Sequence, residues 1–213
     1  MKGTHEKWGN GMNRRAFLNR LAALSIVALA FCVSPVDAAD PAPISVLIVY
    51  HSGSGNTEKM AQGVADGAKT ASGANVVLKR VSDVAANDLL SSDALIVGSP
   101  VYFGSMSGEM KTFFDNWLLK FDLWKDRKMR NKIGAAFTTG GAISNGKEVT
   151  MLTMLAAMLV NQMVVVGGGG AFGASATTGP DSPGIDDKEL AEARELGKRV
   201  VEITSVFKRG AGK

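Results

Sequence analysis

The stretch Val46 to Met60, V-L-I-V-Y-H-S-G-S-G-N-T-E-K-M, constrains the fold of this chain more than any other. A short apolar run ends abruptly, a loop of Gly, Ser, Asn and Thr follows, and a helical pattern begins. The run, read as a strand over Ile44–Tyr50, is apolar at successive rather than alternate positions, which requires burial on both faces. The loop's glycines free backbone N–H groups, and the loop opens onto the positive end of a helix dipole. That combination is a seat for an anion. The hydroxyls of Ser52, Ser54 and Thr57 add donors at the same place.

The strand–helix alternation then repeats. A helix over Thr57–Ala71 sets Met60, Val64, Ala68 and Ala71 on one face, and Gly73 ends it. Strands are predicted at Asn75–Val81, Ala94–Gly98, Ile133–Thr138 and Met163–Val166. A short helical turn is expected near Asn87–Leu90. Longer helices are expected over Gly108–Leu119, Lys147–Asn161 and Asp187–Phe207, with a Gly-rich loop from Gly167 to Gly184. Continuous apolar strands separated by helices make a parallel sheet covered on both sides, a three-layer α/β/α sandwich of five strands in the order 2-1-3-4-5. Ligands of such folds sit at the carboxyl ends of the strands. The Met-rich run Met151–Met163 reads as core filler.

The N-terminal segment has a different character. Arg14 and Arg15 precede Phe17-Leu18, an apolar run spans Leu21–Val33, and small residues surround Val36-Asp37-Ala38. The run is short for a bilayer span. This order is that of an export signal, and the paired arginines resemble the twin-arginine type, which carries folded proteins across a membrane. Residues 1–38 are therefore expected to be a signal peptide cut after Ala38 or Ala39, with residues 39–213 exported, in a periplasm; an uncleaved anchor or a general secretory signal is the alternative. Phe31 before Cys32 does not suit lipidation. Cys32 is the only cysteine in the 213 residues, so the body is expected to have no disulfide, thiol or cysteine-metal chemistry. The net charge is +4, of which residues 1–38 hold +3, leaving the body near neutral; nucleic acid is not an expected partner.

Three loops after strands one, three and four carry the chemistry. The first, Ser52-Gly53-Ser54-Gly55-Asn56-Thr57, lacks the Gly-Lys-Ser/Thr of a P-loop. It also lacks the third glycine of the dinucleotide fingerprint, and Lys79 and Arg80 stand where a NAD ribose prefers an acid. It resembles the S/T-x-S/T-G-x-T phosphate loop of the flavodoxin superfamily, which holds the FMN phosphate with hydroxyls and amides. The second, Gly98-Ser99-Pro100-Val101-Tyr102-Phe103-Gly104-Ser105-Met106-Ser107-Gly108-Glu109-Met110-Lys111, continues into Phe113-Phe114-Asp115. It is similar to the corresponding stretch of the WrbA-type NAD(P)H:quinone oxidoreductases. A flat flavin ring would need the rigid turn of Pro100, the amides that Gly104 lets approach, and an apolar wall of Val101, Tyr102 and Phe103. The third, Thr138-Thr139-Gly140-Gly141 through Gly146-Lys147-Glu148, resembles the family's Gly-rich loop at the pyrimidine end of the flavin, one residue longer in the middle. Phe172-Gly173-Ala174 resembles a late Y-G-A segment.

The resemblance implies FMN as cofactor, NAD(P)H as electron donor, a quinone as acceptor, and a ping-pong two-electron mechanism in which the flavin carries the chemistry and no side chain need be catalytic. It implies a substrate-side aromatic at Trp124, and a homo-oligomer, dimer or tetramer. Asn161 stands where the family commonly has a His, and Val101-Tyr102 stands where it often has Thr-Arg; both changes bear on the donor more than on the flavin. The alternative is an exported flavodoxin-like electron carrier without its own NAD(P)H site. His51 flanks the phosphate loop as a neighbour rather than a catalyst. The basic run Lys125, Arg127, Lys128, Arg130 and Lys132 reads as a solvated loop or as a docking surface for an acidic partner or a membrane. No metal-ligand spacing and no Ser-His-Asp grouping occurs.

Overall fold

A computed structural model describes residues 43–211, apart from 72, 181 and 183. The expected signal at 1–38, with Cys32 and His5, lies outside the described residues. Strand β1 (Ile44–Tyr50) leads to helix α1 (Asn56–Thr70), β2 (Ala74–Arg80), a 3-10 turn at Val81–Asp83, α2 (Ala86–Ser91) and β3 (Ala94–Tyr102). A short return strand β4 (Ser105–Met106), α3 (Gly108–Leu119), β5 (Ile133–Gly140), α4 (Lys147–Val160), β6 (Val164–Val165), β7 (Ala174–Thr177) and α5 (Asp187–Ala211) complete the chain.

The sheet runs β2-β1-β3-β5-β6, parallel throughout this path, so the expected order of five positions is present. Two features correct the five-strand expectation, and the sheet has seven strands. Strand β3 continues past Gly98 through Pro100, Val101 and Tyr102, and β4 folds back antiparallel on it, pairing Val101 with Met106. The fifth position is split: β6 pairs the start of β5, and β7 pairs its end from Phe137–Ala174 to Gly140–Thr177. Between them the glycine run leaves the sheet. Gly169 has φ +76, and a Cβ there would stand 2.2 Å from the Glu192 carbonyl of α5, so the chain is pressed against that helix instead of a strand neighbour. The segment Gly167–Gly184 was expected to be loop throughout; its four strand residues Ala174–Thr177 carry almost no β-branched signal of their own.

Both faces of the sheet are covered. On one side Val46, Ile48, Ile96 and Phe137 pack with Met60, Val64 of α1 and Leu196, Val200 of α5. On the other, Leu47, Val49, Leu95 and Val97 pack with Phe113, Trp117 of α3 and Met151, Met154, Met158 of α4. The alternation of neighbours along β1 explains why every position in its run is apolar. Phe113, Phe114 and Trp117 form a tilted and T-shaped trio with centroids 5.1–5.7 Å apart, and Trp117 is fully buried. Helices α1 and α5 cross closely because Gly67 and Gly197 have no Cβ; one on Gly67 would fall 1.9 Å from the Arg194 carbonyl. In this parallel array every helix begins near the carboxyl edge of the sheet and ends near the amino edge. That directs the three expected loops to one edge.

Candidate functional site at the carboxyl edge of the sheet

The loop Ser52–Gly55 joins β1 to α1. Gly55 takes φ +90 as the residue before α1, a conformation that an L side chain resists, and its N–H donates to Ser52 Oγ at 3.0 Å. The N–H groups of Gly53, Ser54, Asn56 and Thr57 have no hydrogen-bond acceptor among the described residues. These are the free donors of a helix N-terminus turned toward an open loop, where Gly53, Ser54 and Gly55 are exposed. Ser54 Oγ accepts from Asn56 Nδ2 at 3.3 Å.

The three loops meet. Thr57 Oγ1 and Thr139 Oγ1 are 2.8 Å apart and both buried, tying the first loop to the third. Two hydroxyls share one hydrogen bond here, which leaves one O–H free to donate. A Cβ on Gly53 would lie 2.6 Å from the Tyr102 hydroxyl, so the second loop lies across the first. A Cβ on Gly146, at φ +97, would lie 2.8 Å from the Gly104 Cα, so the second and third loops touch backbone to backbone. Ser52 to Thr57, Tyr102, Gly104, Thr139 and Gly146 are therefore one constellation. Thr138, Gly140 and Gly141 flank it: Thr138 is buried and donates to the Ser99 carbonyl at 2.7 Å, and Asn145 caps Gly141 N–H at 2.9 Å with its side-chain oxygen.

Other expectations need correction. Pro100 is not a turn; it is extended in β3 opposite Thr139, and the turn falls at Phe103-Gly104. Phe103, at φ +49, is fully exposed at the hairpin tip instead of walling a pocket, while Val101 is half-buried in β3 and Tyr102 is partly exposed. Trp124 shares a groove with Ser105 and Met106 of the second loop. It follows α3, under the Arg127 guanidinium at 3.5 Å from the ring centre. There it lines an open groove of about 570 Å³ between α3 and α4, with Met106, Phe114, Leu118, Val160 and Asn161. Asn161 ends α4, with Nδ2 donating to the Ala157 carbonyl at 2.8 Å and Oδ1 unpaired.

Residues outside the expected cofactor set brace the loops. Arg80 at the end of β2 donates to the Ser52 carbonyl at 3.3 Å, pairs with Glu58 in the first turn of α1, and lies 5.3 Å from the Tyr50 ring centre. Tyr50 donates to Glu58 Oε1 at 2.7 Å; burial, then this bond to a carboxylate, raises its pKa above the ordinary phenol value. Lys147, the first residue of α4, is only 6% exposed and its ammonium donates to Thr177 Oγ1, while Glu189 accepts from Thr177 N–H at 2.7 Å. Arg80 was legible only as a residue unsuited to a NAD ribose, and the partner of Lys147 lies 30 positions away. His51 packs edge-on to Tyr102 with centroids 6.1 Å apart, and its Nε2 is 3.7 Å from Glu109. Among the described residues no group of three or more His, Cys, Asp and Glu side chains is arranged to hold a metal ion.

The donor set is thus neutral hydroxyls and amides at a helix N-terminus, with one arginine behind the loop. It fits a phosphate monoester such as that of FMN, and the touching second and third loops leave the exposed edge above them for a flat group.

Comparison with known proteins agrees with this geometry. Residues 84–178 match the NADPH-dependent FMN reductase family. An NAD(P)H dehydrogenase (quinone) of Archaeoglobus fulgidus is 35% identical over 187 residues, covering 74% of this chain and 96% of the relative. A flavodoxin of Aquifex aeolicus is 37% identical over 173 residues, covering 78% and 89%. Among solved structures, the flavodoxin-like WrbA-like protein of Agrobacterium tumefaciens superposes with a TM-score of 0.65 at 26% identity, covering 77% of this chain and 99% of that one. The chain belongs to the flavodoxin-like family that includes the NAD(P)H dehydrogenases (quinone) and the WrbA-like proteins.

Proposed function

We propose that the protein is an FMN-dependent oxidoreductase that passes two electrons from NAD(P)H to a quinone in a ping-pong cycle. The observation that carries this reading is the joining of three loops around a phosphate cradle built from hydroxyls and amides, in a chain whose relatives include NAD(P)H dehydrogenases (quinone). When bound, FMN supplies the redox chemistry. The chain's own residues do the rest. Ser52, Ser54, Thr57 and the amides of Gly53, Ser54, Asn56 and Thr57 would hold the phosphate, with the α1 dipole and Arg80 adding positive potential. Tyr102 closes over the phosphate loop. Gly104 and Gly146 hold the second and third loops in backbone contact, so that main-chain groups would border a bound flavin there.

The test is anaerobic. Purified protein loaded with FMN is mixed with NADH or NADPH, the loss of flavin absorbance is followed, and a quinone is then added. Rapid reduction and reoxidation are expected; a properly bound flavin that neither nucleotide reduces rules the reading out. The second reading, an electron carrier without its own nucleotide site, is supported by the relative named as a flavodoxin and by Val101-Tyr102 standing where a Thr-Arg pair is common.

Export through a twin-arginine signal, with cofactor insertion before translocation and a periplasmic destination, is part of the proposal and rests on Arg14-Arg15 and the apolar run that follows. A homo-oligomer is supported by α4, whose solvent face carries Val149, Leu152, Leu159 and Val160 exposed beside the α3–α4 groove. Trp124 lines the same groove as Ser105 and Met106 of the second loop, which supports a substrate-side place for it.

A further inference from the structure

The end of the molecule opposite the flavin loops has a composition of its own. All five helices finish there. Residues 118–132 and 206–210 hold eight basic side chains against two acidic ones. Residues 39–213 together carry only +1, so the remainder of that body is net negative. The two segments are neighbours: Lys128, Arg130, Phe207 and Lys208 line a shared hollow of about 300 Å³ between the loop before β5 and the end of α5.

Helix dipoles favour cations at helix ends and account for Lys120, Lys208 and Arg209. They do not account for the loop from Lys125 to Lys132. Internal contacts use some of these charges: Lys208 pairs with Asp93 at 2.8 Å, Lys128 with Asp122 at 3.2 Å, and Lys132 donates to the Leu90 carbonyl at 2.9 Å. Lys125 and Arg130 are exposed and have no ion-pair partner among the described residues. Apolar side chains stand beside the charges. Leu118 and Leu119 end α3 at 61% and 77% exposure, and Val206 is 58% exposed next to Phe207. Exposed aliphatic and aromatic groups set among lysines and arginines are the composition of a surface that rests in a lipid headgroup region.

We propose that the amino edge of the sheet docks on an anionic lipid surface, with the Lys125–Lys132 loop and the end of α5 as the contact. Charge segregation then orients the protein: the basic edge faces the bilayer, and the flavin loops, one strand length away, face the aqueous phase. The docking does not depend on the reductase reading.

The test is vesicle flotation of the full chain with phosphatidylcholine alone and with phosphatidylcholine containing phosphatidylglycerol. Residues 1–38, with five cations around the apolar run, are the same in every variant, so the quantity read is how far a substitution in the body lowers the gain on anionic vesicles. Lys125→Glu/Arg130→Glu should reduce that gain by about 25-fold or more, each cation at the surface being worth about a factor of five. High salt should abolish it in the unaltered chain. Both positions are exposed, and an unchanged melting curve confirms that the variant folds. Lys188→Glu, a charge reversal at the opposite edge, should keep the gain. No gain on anionic vesicles at low salt, which would leave the edge to an acidic protein, overturns the proposal. So does a gain undiminished by the double reversal, or one lowered equally by Lys188→Glu.

Discussion

The Thr57–Thr139 hydrogen bond is the one side-chain link between the first and third loops, among the described residues, and it can be isolated by a double-mutant cycle. Its oxygens are 2.8 Å apart, at residues 1% and 3% exposed. Thr139→Val removes the partner of the buried Thr57 hydroxyl, and Thr57→Val does the same to Thr139. A buried hydroxyl left unpaired costs about 1–3 kcal/mol, whereas removing both members of a pair costs much less than the sum. Each single variant should therefore lower the unfolding free energy of the FMN-free protein by about 1.5 kcal/mol, and the double variant by about the same. The coupling is then about 1–2 kcal/mol, readable in urea unfolding curves fitted with a common slope. Flavin affinity separates the two residues. Thr57 opens the helix facing the phosphate seat, and a hydrogen bond to a charged acceptor is worth about 1.5–3 kcal/mol, or about 10- to 150-fold in Kd. Thr57→Val should weaken FMN binding by at least about tenfold, and Thr139→Val by less. Single-variant costs that simply add, within about 0.5 kcal/mol, would refute the shared bond. An unchanged FMN Kd in Thr57→Val would refute the phosphate seat.

Gly53→Ala should leave the fold intact, since its Cβ would meet only the end of the Tyr102 side chain at 2.6 Å, yet weaken FMN binding several-fold; adding Tyr102→Phe should recover part of that loss in a flavin titration. Gly197→Ala places a Cβ 2.0 Å from the Val64 carbonyl in the α1–α5 crossing and should destabilise by about 3 kcal/mol, seen as a large drop in Tm. Asp88 accepts from Lys79 Nζ and Ala85 N–H, each at 2.8 Å, and these bonds, Lys79 first, hold its carboxyl below the usual range. A carboxylate with a lowered folded pKa adds stability above its unfolded value, near 3.9, that is lost as pH falls through the folded value. Asp88→Asn should thus cost about 1 kcal/mol at pH 7, with the gap to the unaltered protein closing below about pH 4 in denaturation curves; a gap independent of pH would contradict the assignment.

The sequence by itself determined the layers and the place of the site. Continuous apolar runs at Val46–Tyr50, Leu95–Val97 and Ile133–Phe137 must be buried on both faces, and only helices on both sides of a parallel sheet do that. Because the strands are parallel, the loops after them all lie at one edge. The α3 bounds, Gly108–Leu119, were legible because Ser107 caps the helix by accepting from Met110 N–H and its buried Met110, Phe113, Phe114 and Trp117 have helical spacing. What tertiary structure decided is every relation that depends on distance between residues remote in the chain. The fifth strand is broken because Gly169 is pressed on α5, a contact that no local pattern encodes. Pro100 is strand rather than turn because Thr139 lies beside it. Trp124 stands under Arg127 in the α3–α4 groove, a place that only the packing of α3 beside α4 decides. Periodicity reports which face of an element is buried. Which loops touch, and which side chains brace them, is fixed only when the elements pack.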